Sequence, residues 1–313
     1  MPELVIAVVG PTAAGKSDLA LRLAQTLDGE IVNADSMQLY AGMDIGTAKL
    51  TLAERRGVSH HLLDIWDIRQ TASVAQYQRL ARETIASIHR RGRVPILAGG
   101  SGLYVRAALD PLKFPGTDPG LRERLEADLA EHGPAVLHAR LARLDPAAAA
   151  AILPSNRRRI VRALEVIELS GRPFDATLPE YESVYPEVQI GLATGRAELD
   201  RRIAERTARM FAAGLVDEVA GLDRAGLREG KTASRALGYA QVLRFLDGEY
   251  TLEEASAQTI LATRRFARRQ ESWFRRDPRV TWLAADAAGL LDQALATIGS
   301  CGSPKATAPR TTS

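Results

Sequence analysis

A glycine-rich stretch near the start of the chain constrains the fold more than any other feature. Residues 10–17 read Gly-Pro-Thr-Ala-Ala-Gly-Lys-Ser, which fits the pattern G-x-x-x-x-G-K-S. The stretch lies between an apolar run at residues 4–9, typical of a strand buried on both faces, and a helical pattern at residues 16–27. A phosphate-binding loop (P-loop) requires this context of strand, loop and helix, so the motif predicts an α/β protein that binds phosphate.

The residue types of this loop suit a phosphate ligand. Its glycines let backbone N–H groups converge on phosphate oxygens, and the start of the helix adds positive potential. Lys16 would neutralise charge, and Ser17 would bind a Mg²⁺ ion that the phosphates also hold. The candidate phosphate-binding residues are Gly10, Pro11, Thr12, Ala13, Ala14, Gly15, Lys16 and Ser17.

Strand and helix patterns alternate over most of the chain. The strand patterns cover residues 4–9, 30–34, 94–98, 188–193 and 279–283. Alternation with helices predicts a doubly wound parallel sheet with helices on both faces. The predicted domains are a P-loop core at residues 1–116 plus 188–298, an inserted all-helical subdomain at 117–187 and a disordered tail at 299–313.

The composition suits a chain that buries a core and crosses no membrane. Hydrophobic residues make up 46% of the 313 residues and charged residues 25%. The apolar runs are far shorter than the ~20 residues of a membrane-spanning helix. The first residues do not resemble a secretory signal, and the single cysteine, Cys301, cannot form an internal disulfide. We therefore expect a cytoplasmic protein.

Arginine dominates the positive charge. The chain has 41 basic and 38 acidic residues, and lysine accounts for five of the 41. Arginine binds phosphates and stacks on bases, although an arginine-favouring genome would give the same composition. Placement favours RNA, because arginines concentrate at residues 157–162 and 264–276. Phe266 and Trp273 lie within the second cluster, where they would either stack on unpaired bases or pack in the core.

A third set of arginines, Arg202, Arg206 and Arg209, falls at positions i, i+4 and i+7 of a predicted helix. These side chains share one helix face. The face would approach phosphate groups or RNA, or form a solvated stripe. Arg206 is the member that we select as a candidate ligand for the bound phosphates.

A carboxylate is missing where a nucleotide hydrolase would carry one. The strand at 94–98 ends in Gly-Gly-Ser-Gly, without the Asp that usually holds Mg²⁺. Asp35 instead follows the second strand, at the sheet edge where ligands bind. A carboxylate there could hold metal, act as a general base or cap a turn. His60 and His61 lack further ligands at metal-binding spacing, which favours structural hydrogen bonds.

Further motifs follow in order along the chain. Asn-Ala-Asp-Ser-Met-Gln-Leu-Tyr stands at 33–40, Gly-Met-Asp-Ile-Gly-Thr-Ala-Lys at 42–49, His-His-Leu-Leu-Asp at 60–64 and Gly-Gly-Ser-Gly-Leu-Tyr at 99–104. With the P-loop and later stretches at 157–165, 236–239 and 263–270, they resemble the bacterial tRNA dimethylallyltransferases, also called tRNA isopentenyltransferases. The resemblance covers residues 4–283.

The resemblance implies a specific reaction. That family transfers a dimethylallyl group from dimethylallyl diphosphate to the exocyclic amine of the adenosine immediately 3′ of the anticodon in tRNA, releasing diphosphate. The P-loop would then grip a diphosphate leaving group, with Mg²⁺ as the cofactor. The implied partners are tRNA, through its anticodon stem-loop, and dimethylallyl diphosphate, and a monomer is expected.

The resemblance also assigns roles to residues. Asp35 becomes the candidate general base, and Ser101 stands where the family commonly has a threonine that contacts the reacting region. Ser101 keeps the hydroxyl but loses the methyl that would restrict its orientation. The candidate tRNA-binding residues are Asp35, Ser36, Met37, Gln38, Ser101, Arg122, Arg158, Arg159, Arg162, Arg268, Arg269 and Arg275. We expect the helical insertion to clamp the anticodon stem while the core receives the splayed-out adenosine.

Two other functions remain compatible with the P-loop. An isopentenyltransferase for free adenine nucleotides would share the loop and Asp35 but would need no extended basic surface. A kinase-like or regulatory nucleotide-binding protein would act on a γ-phosphoryl group. The arginine clusters disfavour the first alternative, and the missing strand-end carboxylate disfavours the second.

Overall fold

A six-stranded parallel sheet forms the centre of the computed structural model, which describes residues 3–175 and 179–301. The strands are β1 Val5–Val9, β2 Gly29–Asn33, β3 His60–His61, β4 Val94–Ala98, β5 Glu187–Ala193 and β6 Val280–Ala284. Their order across the sheet is β3-β2-β4-β1-β5-β6. Strand β1 is central and wholly buried, as its uninterrupted apolar sequence requires.

Eleven helices are present in the described part of the chain. They are α1 Lys16–Leu27, α2 Val74–Arg90, α3 Gly102–Leu109, α4 Pro119–Leu144, α5 Pro146–Ala151, α6 Arg157–Ser170, α7 Arg196–Ala212, α8 Leu215–Arg224, α9 Tyr239–Leu246, α10 Leu252–Phe274 and α11 Leu290–Cys301. Helix α1 buries Leu19 and Leu23 in a cluster that includes Ile6 and Ile190 of the sheet. This cluster holds α1, and hence the P-loop before it, against the central strands.

The chain divides into two compact units. The first consists of residues 1–110 and 183–313, and the second of residues 111–182. The second unit contains α4, α5 and α6 around its own core, which includes Leu125, Leu141, Ile160 and Leu164. Asp145 caps α5 by accepting a hydrogen bond from the N–H of Ala148 at 2.9 Å, as the Asp-Pro sequence predicts.

The boundaries of the second unit differ from the predicted insertion at 117–187. The unit begins earlier because Arg162 Nη2 donates to the carbonyl of Pro115 at 2.6 Å and Nη1 to that of Gly116 at 3.0 Å. It ends earlier because the N–H of Val184 donates to the carbonyl of Leu109, at 2.8 Å, within the first unit. Both boundaries therefore depend on hydrogen bonds that carry no periodic sequence signal.

Most predicted elements lie within one or two residues of their observed bounds. The predicted tail is wrong for residues 299–301, because α11 continues to Cys301 and the hydroxyl of Ser300 donates to the carbonyl of Thr297 at 2.9 Å. Residues 302–313 of that tail lie outside the described residues. Sequence patterns missed β3, which has only two residues, α3, whose mostly buried side chains give no polar face, and α9, which has only eight residues.

The histidine pair has the predicted structural role. His61 Nε2 is hydrogen-bonded to Glu30 Oε2 at 2.5 Å, and His60 Nδ1 to the carbonyl of Val58 at 2.9 Å. Both histidines form the edge strand β3 next to β2. Among the residues that the structure describes, no helix is long and apolar enough to span a membrane.

Candidate active site

Three loops meet where β1, β2 and β4 end. These strands are neighbours, with Val8 of β1 opposite Ala98 of β4 and Ala98 opposite Asn33 of β2. Because all three run in parallel, their carboxyl ends lie at the same sheet edge. The P-loop follows β1, the Asp35 segment follows β2 and the Gly-Gly-Ser loop follows β4.

The P-loop has the backbone shape that a phosphate site needs. Gly15 adopts a left-handed conformation with φ of 95° directly before α1, where a residue with a side chain would be strained. Lys16 Nζ donates to the carbonyl of Pro11 at 2.7 Å. Burial lowers the pKa of Lys16 to about 8, an effect that the negative charge of Asp35 opposes and the positive charge of Arg206 reinforces. With a pKa of about 8, Lys16 is mostly cationic at neutral pH and loses its charge as the pH rises further.

Asp35 is held by the strand that precedes it. Asn33, almost fully buried, accepts from the N–H of Asp35 at 2.9 Å and donates to the carbonyls of Asp35 and Leu62 at 3.0 Å. The N–H of Met37 donates to Asp35 Oδ1 at 2.9 Å. Within residues 3–175 and 179–301, no donor is hydrogen-bonded to Oδ2. One carboxylate oxygen fixes the loop, and the other can accept a proton.

Ser101 lies beside the Asp35 segment. Its Oγ accepts from the N–H of Ser36 at 3.2 Å and lies 3.3 Å from Ser36 Oγ. Its N–H donates to the carbonyl of Ala34 at 3.3 Å. The loops after β2 and β4 are thus joined, and two hydroxyls lie side by side near the carboxylate.

Of the three arginines on this helix face, Arg206 is the one hydrogen-bonded to the P-loop. Its Nη1 donates to Thr12 Oγ1 at 3.1 Å and its Nη2 to the carbonyl of Thr47 at 3.4 Å. Burial lowers the pKa of Arg206, while Asp35 acts to raise it. Together with Arg202 and Arg209 it lines a cleft of about 260 Å³ alongside the P-loop. The cleft is therefore lined by Lys16 and three arginines, together with the acidic residues Asp18 and Glu205.

A smaller cavity, of about 60 Å³, joins these groups. Its lining includes Thr12, Lys16, Ser17, Asn33, Asp35, Gln38, Thr47, Arg206 and Gln270. Sequence reasoning brought Thr12, Lys16, Ser17, Asp35, Gln38 and Arg206 to this region but missed Asn33, Thr47 and Gln270. Thr47 lies in the motif at 42–49 and Gln270 in that at 263–270, so membership in the motifs was the available signal.

A carboxylate outside the cavity shapes the loop that carries Thr47. Glu218 of α8 accepts from the N–H groups of Asp44, Ile45 and Gly46 at 3.1, 2.7 and 3.2 Å, and from the hydroxyl of Tyr239 at 2.5 Å. A side chain at Gly46 would overlap the ring of Tyr239. Buried Tyr239 and its carboxylate partner Glu218 therefore hold the loop in place.

The candidate tRNA-binding arginines of the second unit have different surroundings. Arg122 and Arg162 both donate to the fully buried carboxylate of Glu165, at 2.5 and 2.8 Å. Arg122 thereby joins α4 to α6, whereas Arg162 pairs with Glu165 within α6. Arg158 and Arg159 are exposed at the start of α6. Their binding to tRNA stays a prediction.

The arginine cluster of α10 is mostly exposed. Arg268 and Arg269 face solvent, and the Arg269 guanidinium lies 5.8 Å from the ring centre of Phe266. Arg275 is paired with Glu271 at 2.8 Å, one turn away. Half-buried Trp273 packs against Gly102, where any added side chain would overlap the indole. That contact favours core packing for Trp273 over base stacking.

The fold and the site together define an α/β enzyme of the P-loop type, in which a carboxylate lies beside the phosphate loop. The family profile described as IPP transferase matches residues 38–277. The tRNA dimethylallyltransferase of Thermobifida fusca is 70% identical over 299 residues, which cover 94% of each chain. This chain belongs to the IPP transferase family, whose curated relatives are named tRNA dimethylallyltransferases.

Solved structures of similar proteins support the same family and fold. A tRNA isopentenylpyrophosphate transferase from Bacillus halodurans superposes with a TM-score of 0.71 at 41% identity, covering 96% of this chain and 98% of that one. A eukaryotic dimethylallyltransferase, described as acting on tRNA, has a TM-score of 0.76 at 26% identity over 90% of this chain and 74% of its own. The predicted family and the P-loop fold are confirmed.

Proposed function

We propose that this protein transfers the dimethylallyl group of dimethylallyl diphosphate to the exocyclic amine of the adenosine immediately 3′ of the tRNA anticodon, releasing diphosphate. The observation that carries the proposal is the shared cavity of Asp35, Lys16, Ser17 and Arg206. The cavity lining combines a carboxylate, which can accept a proton, with cations at the phosphate loop. Transfer of a group from a diphosphate to a weakly acidic amine needs a proton acceptor for the amine and positive charge for the diphosphate.

The carboxylate serves the nucleophile. The amine nitrogen attacks the first carbon of the dimethylallyl group while the bond from that carbon to the diphosphate oxygen breaks. The bonding electrons leave with the diphosphate, and the proton lost from nitrogen passes to Asp35 Oδ2. General-base help of this kind contributes about 10²–10⁴-fold to the rate.

The P-loop serves the leaving group. Negative charge grows on the diphosphate as the bond breaks, and Lys16 and Arg206, which line the cavities, would stabilise it together with the loop N–H groups. Ser17 offers a hard hydroxyl oxygen at the start of α1, which fits Mg²⁺. Among the described residues, no three His, Cys, Asp or Glu side chains are grouped as metal ligands. Ser17 and the diphosphate would hold the ion, which would supply further charge neutralisation.

Each unit carries candidate tRNA-binding residues. Asp35 and Gln38 line the cavity, and together with Ser36, Met37 and Ser101 they would contact the target adenosine. Exposed Arg158 and Arg159 of the second unit and Arg268 and Arg269 of α10 would bind phosphates near the anticodon. A splayed-out base is the form in which an RNA loop presents its amine to an enclosed pocket.

The charge state of Lys16 predicts a pH dependence. Its pKa is lowered to about 8, so it is cationic below that pH and neutral above it. The donor is an anion, and kcat/KM for the donor reports the free enzyme. We expect kcat/KM for dimethylallyl diphosphate to fall as the pH rises through about 8. Steady-state rates from neutral to alkaline pH test this, and the same inflection in Lys16→Ala would contradict the assignment.

The exposed arginines of α10 predict a change in salt dependence. Replacing Arg268 and Arg269 with alanine should weaken tRNA binding. Each lost phosphate contact should reduce the slope of log K against log salt by about 1. Arg79→Ala is the matched control, since Arg79 is an exposed arginine of α2 that pairs with Glu83. Filter-binding titrations at several salt concentrations measure these slopes. Equal slopes for the control and the α10 variants would show that Arg268 and Arg269 do not contact tRNA phosphates.

The proposed function is tested by offering three acceptors. Purified protein is incubated with radiolabelled dimethylallyl diphosphate and either unmodified tRNA, AMP or ATP. The proposal predicts label in tRNA. Label only in the free nucleotides would indicate an adenine-nucleotide isopentenyltransferase, and ATP hydrolysis without prenyl transfer would indicate a nucleotide hydrolase.

A further inference from the structure

One buried amide joins the two loops that enclose the reacting groups. Gln270 lies in α10 with 5% of its surface exposed. Its Oε1 accepts from the N–H of Thr12 in the P-loop at 2.8 Å, and its Nε2 donates to the carbonyl of Gly100 at 2.9 Å. These partners are 258 and 170 residues away in the sequence.

The Gln270 amide fits because the residue next to it, Gly100, has no side chain. An added Cβ at Gly100 would overlap Gln270 Nε2, so the second glycine of the Gly-Gly-Ser loop leaves room for it. Gly100 directly precedes Ser101, whose hydroxyl is bonded to Ser36 beside Asp35. The chain of contacts therefore runs from the P-loop through Gln270 to the groups around the nucleophile.

We infer that Gln270 is a positioning residue, which sets the distance between the diphosphate held by the P-loop and the carboxylate and hydroxyls that surround the amine. This inference rests on the proposed prenyl transfer. Strands β1 and β4 fix the bases of the two loops, but their tips extend beyond the sheet hydrogen bonds. An amide is suited to join them, because it donates from one end and accepts at the other.

The physical consequence follows from the geometry. Without the amide, the Thr12 N–H and the Gly100 carbonyl lose their buried partners and the loops must move to satisfy them. A displacement of about 1 Å in a reacting group can cost about 100-fold in rate. The loss should lower the rate of the chemical step and weaken donor binding. The binding of tRNA at the exposed arginines should stay unchanged.

Q270M is the first test variant, since methionine has nearly the same length but makes neither hydrogen bond. We expect kcat/KM for dimethylallyl diphosphate to fall about 100-fold with unchanged tRNA affinity. T259V is the matched control. Thr259 is buried in the same helix, and its hydroxyl donates only to the carbonyl of Ala255, at 2.7 Å. T259V should keep the kinetics of the unaltered protein.

A double-mutant cycle with S101A separates positioning from simple packing. If Gln270 acts through the loop of Ser101, removing the Ser101 hydroxyl should cost less in the Q270M background than in the unaltered protein. A packing role would lower the thermal midpoint but leave the two losses additive. The cycle therefore measures a coupling that stability alone does not change.

Q270E covers the case in which Q270M does not fold. It keeps the length and the acceptor for Thr12 but loses the donor to Gly100 and adds a negative charge near the leaving diphosphate, so kcat/KM for the donor should again fall. An unaltered protein without prenyl transfer would refute the proposed function itself. An active protein in which the folded Gln270 variants match T259V, or in which the cycle is additive, would overturn the role of Gln270 alone.

Discussion

Replacing Asp35 with asparagine is expected to lower kcat by about 10²–10⁴-fold, the usual contribution of a positioned general base. The amide oxygen of asparagine can still accept from the N–H of Met37, so the loop should keep its shape. The lost function is proton acceptance at the second oxygen. Rapid-mixing measurements of a single turnover, with donor and tRNA both saturating, would isolate the chemical step.

Donor and tRNA binding should survive in Asp35→Asn. The matched control is Asp67→Asn, since Asp67 is an exposed loop carboxylate that accepts from the N–H of Arg69 in a similar local turn. Asp35 also opposes the lowering of the Lys16 pKa, so its loss should move the alkaline fall in kcat/KM below pH 8. Near-normal turnover of Asp35→Asn would show that another group takes the proton.

Replacing Lys16 with alanine should impair donor binding as well as rate. The ammonium group lies at the P-loop and lines both cavities, so it would contact the diphosphate before and during bond breaking. Losing a charged group that stabilises a leaving group costs about 10²–10³-fold in kcat, and the KM for the donor should rise as well. Initial rates over a range of donor concentrations separate the two effects.

Arg22→Ala is the control for Lys16. Arg22 is a cation of the same helix, and it lines neither the cleft nor the smaller cavity. It should show the kinetics of the unaltered protein. If Lys16→Ala neither raised the KM for the donor nor lowered kcat, the diphosphate would have to bind elsewhere.

The core of the fold was predictable because its signals are local. Helix α1 has the predicted bounds, since a glycine precedes it and its leucines repeat along one face. Strand β4 also matches, because its apolar run ends at a glycine pair. Strand β3 was not predictable from its two residues, which form a strand only by pairing with β2.

The site was predictable in part for the same reason. Lys16 and Asp35 lie in motifs at strand ends, and parallel strands bring such ends together. Helical spacing placed Arg206 with two other arginines but did not show which one reaches the P-loop. Gln270 was missed because its partners lie far away in sequence, and the many charges around it suggested only a basic surface.

Pairing within the second unit also depends on tertiary structure. Arg122 and Arg162 look like free cations in the sequence, yet both are bonded to Glu165. That carboxylate is buried only because α4 packs on α6. Their value for binding tRNA therefore differs from that of Arg158, which is exposed.

The most direct test of the central claim is mass analysis of nucleosides from tRNA that has been incubated with the protein and dimethylallyl diphosphate. The proposal predicts a new nucleoside equal to adenosine plus one C5H8 unit. Digestion into oligonucleotides should locate it immediately 3′ of the anticodon. Tandem fragmentation should place the added group on the base and not on the ribose. Unmodified adenosine at that position, after reaction with a folded protein that binds both substrates, would contradict the account.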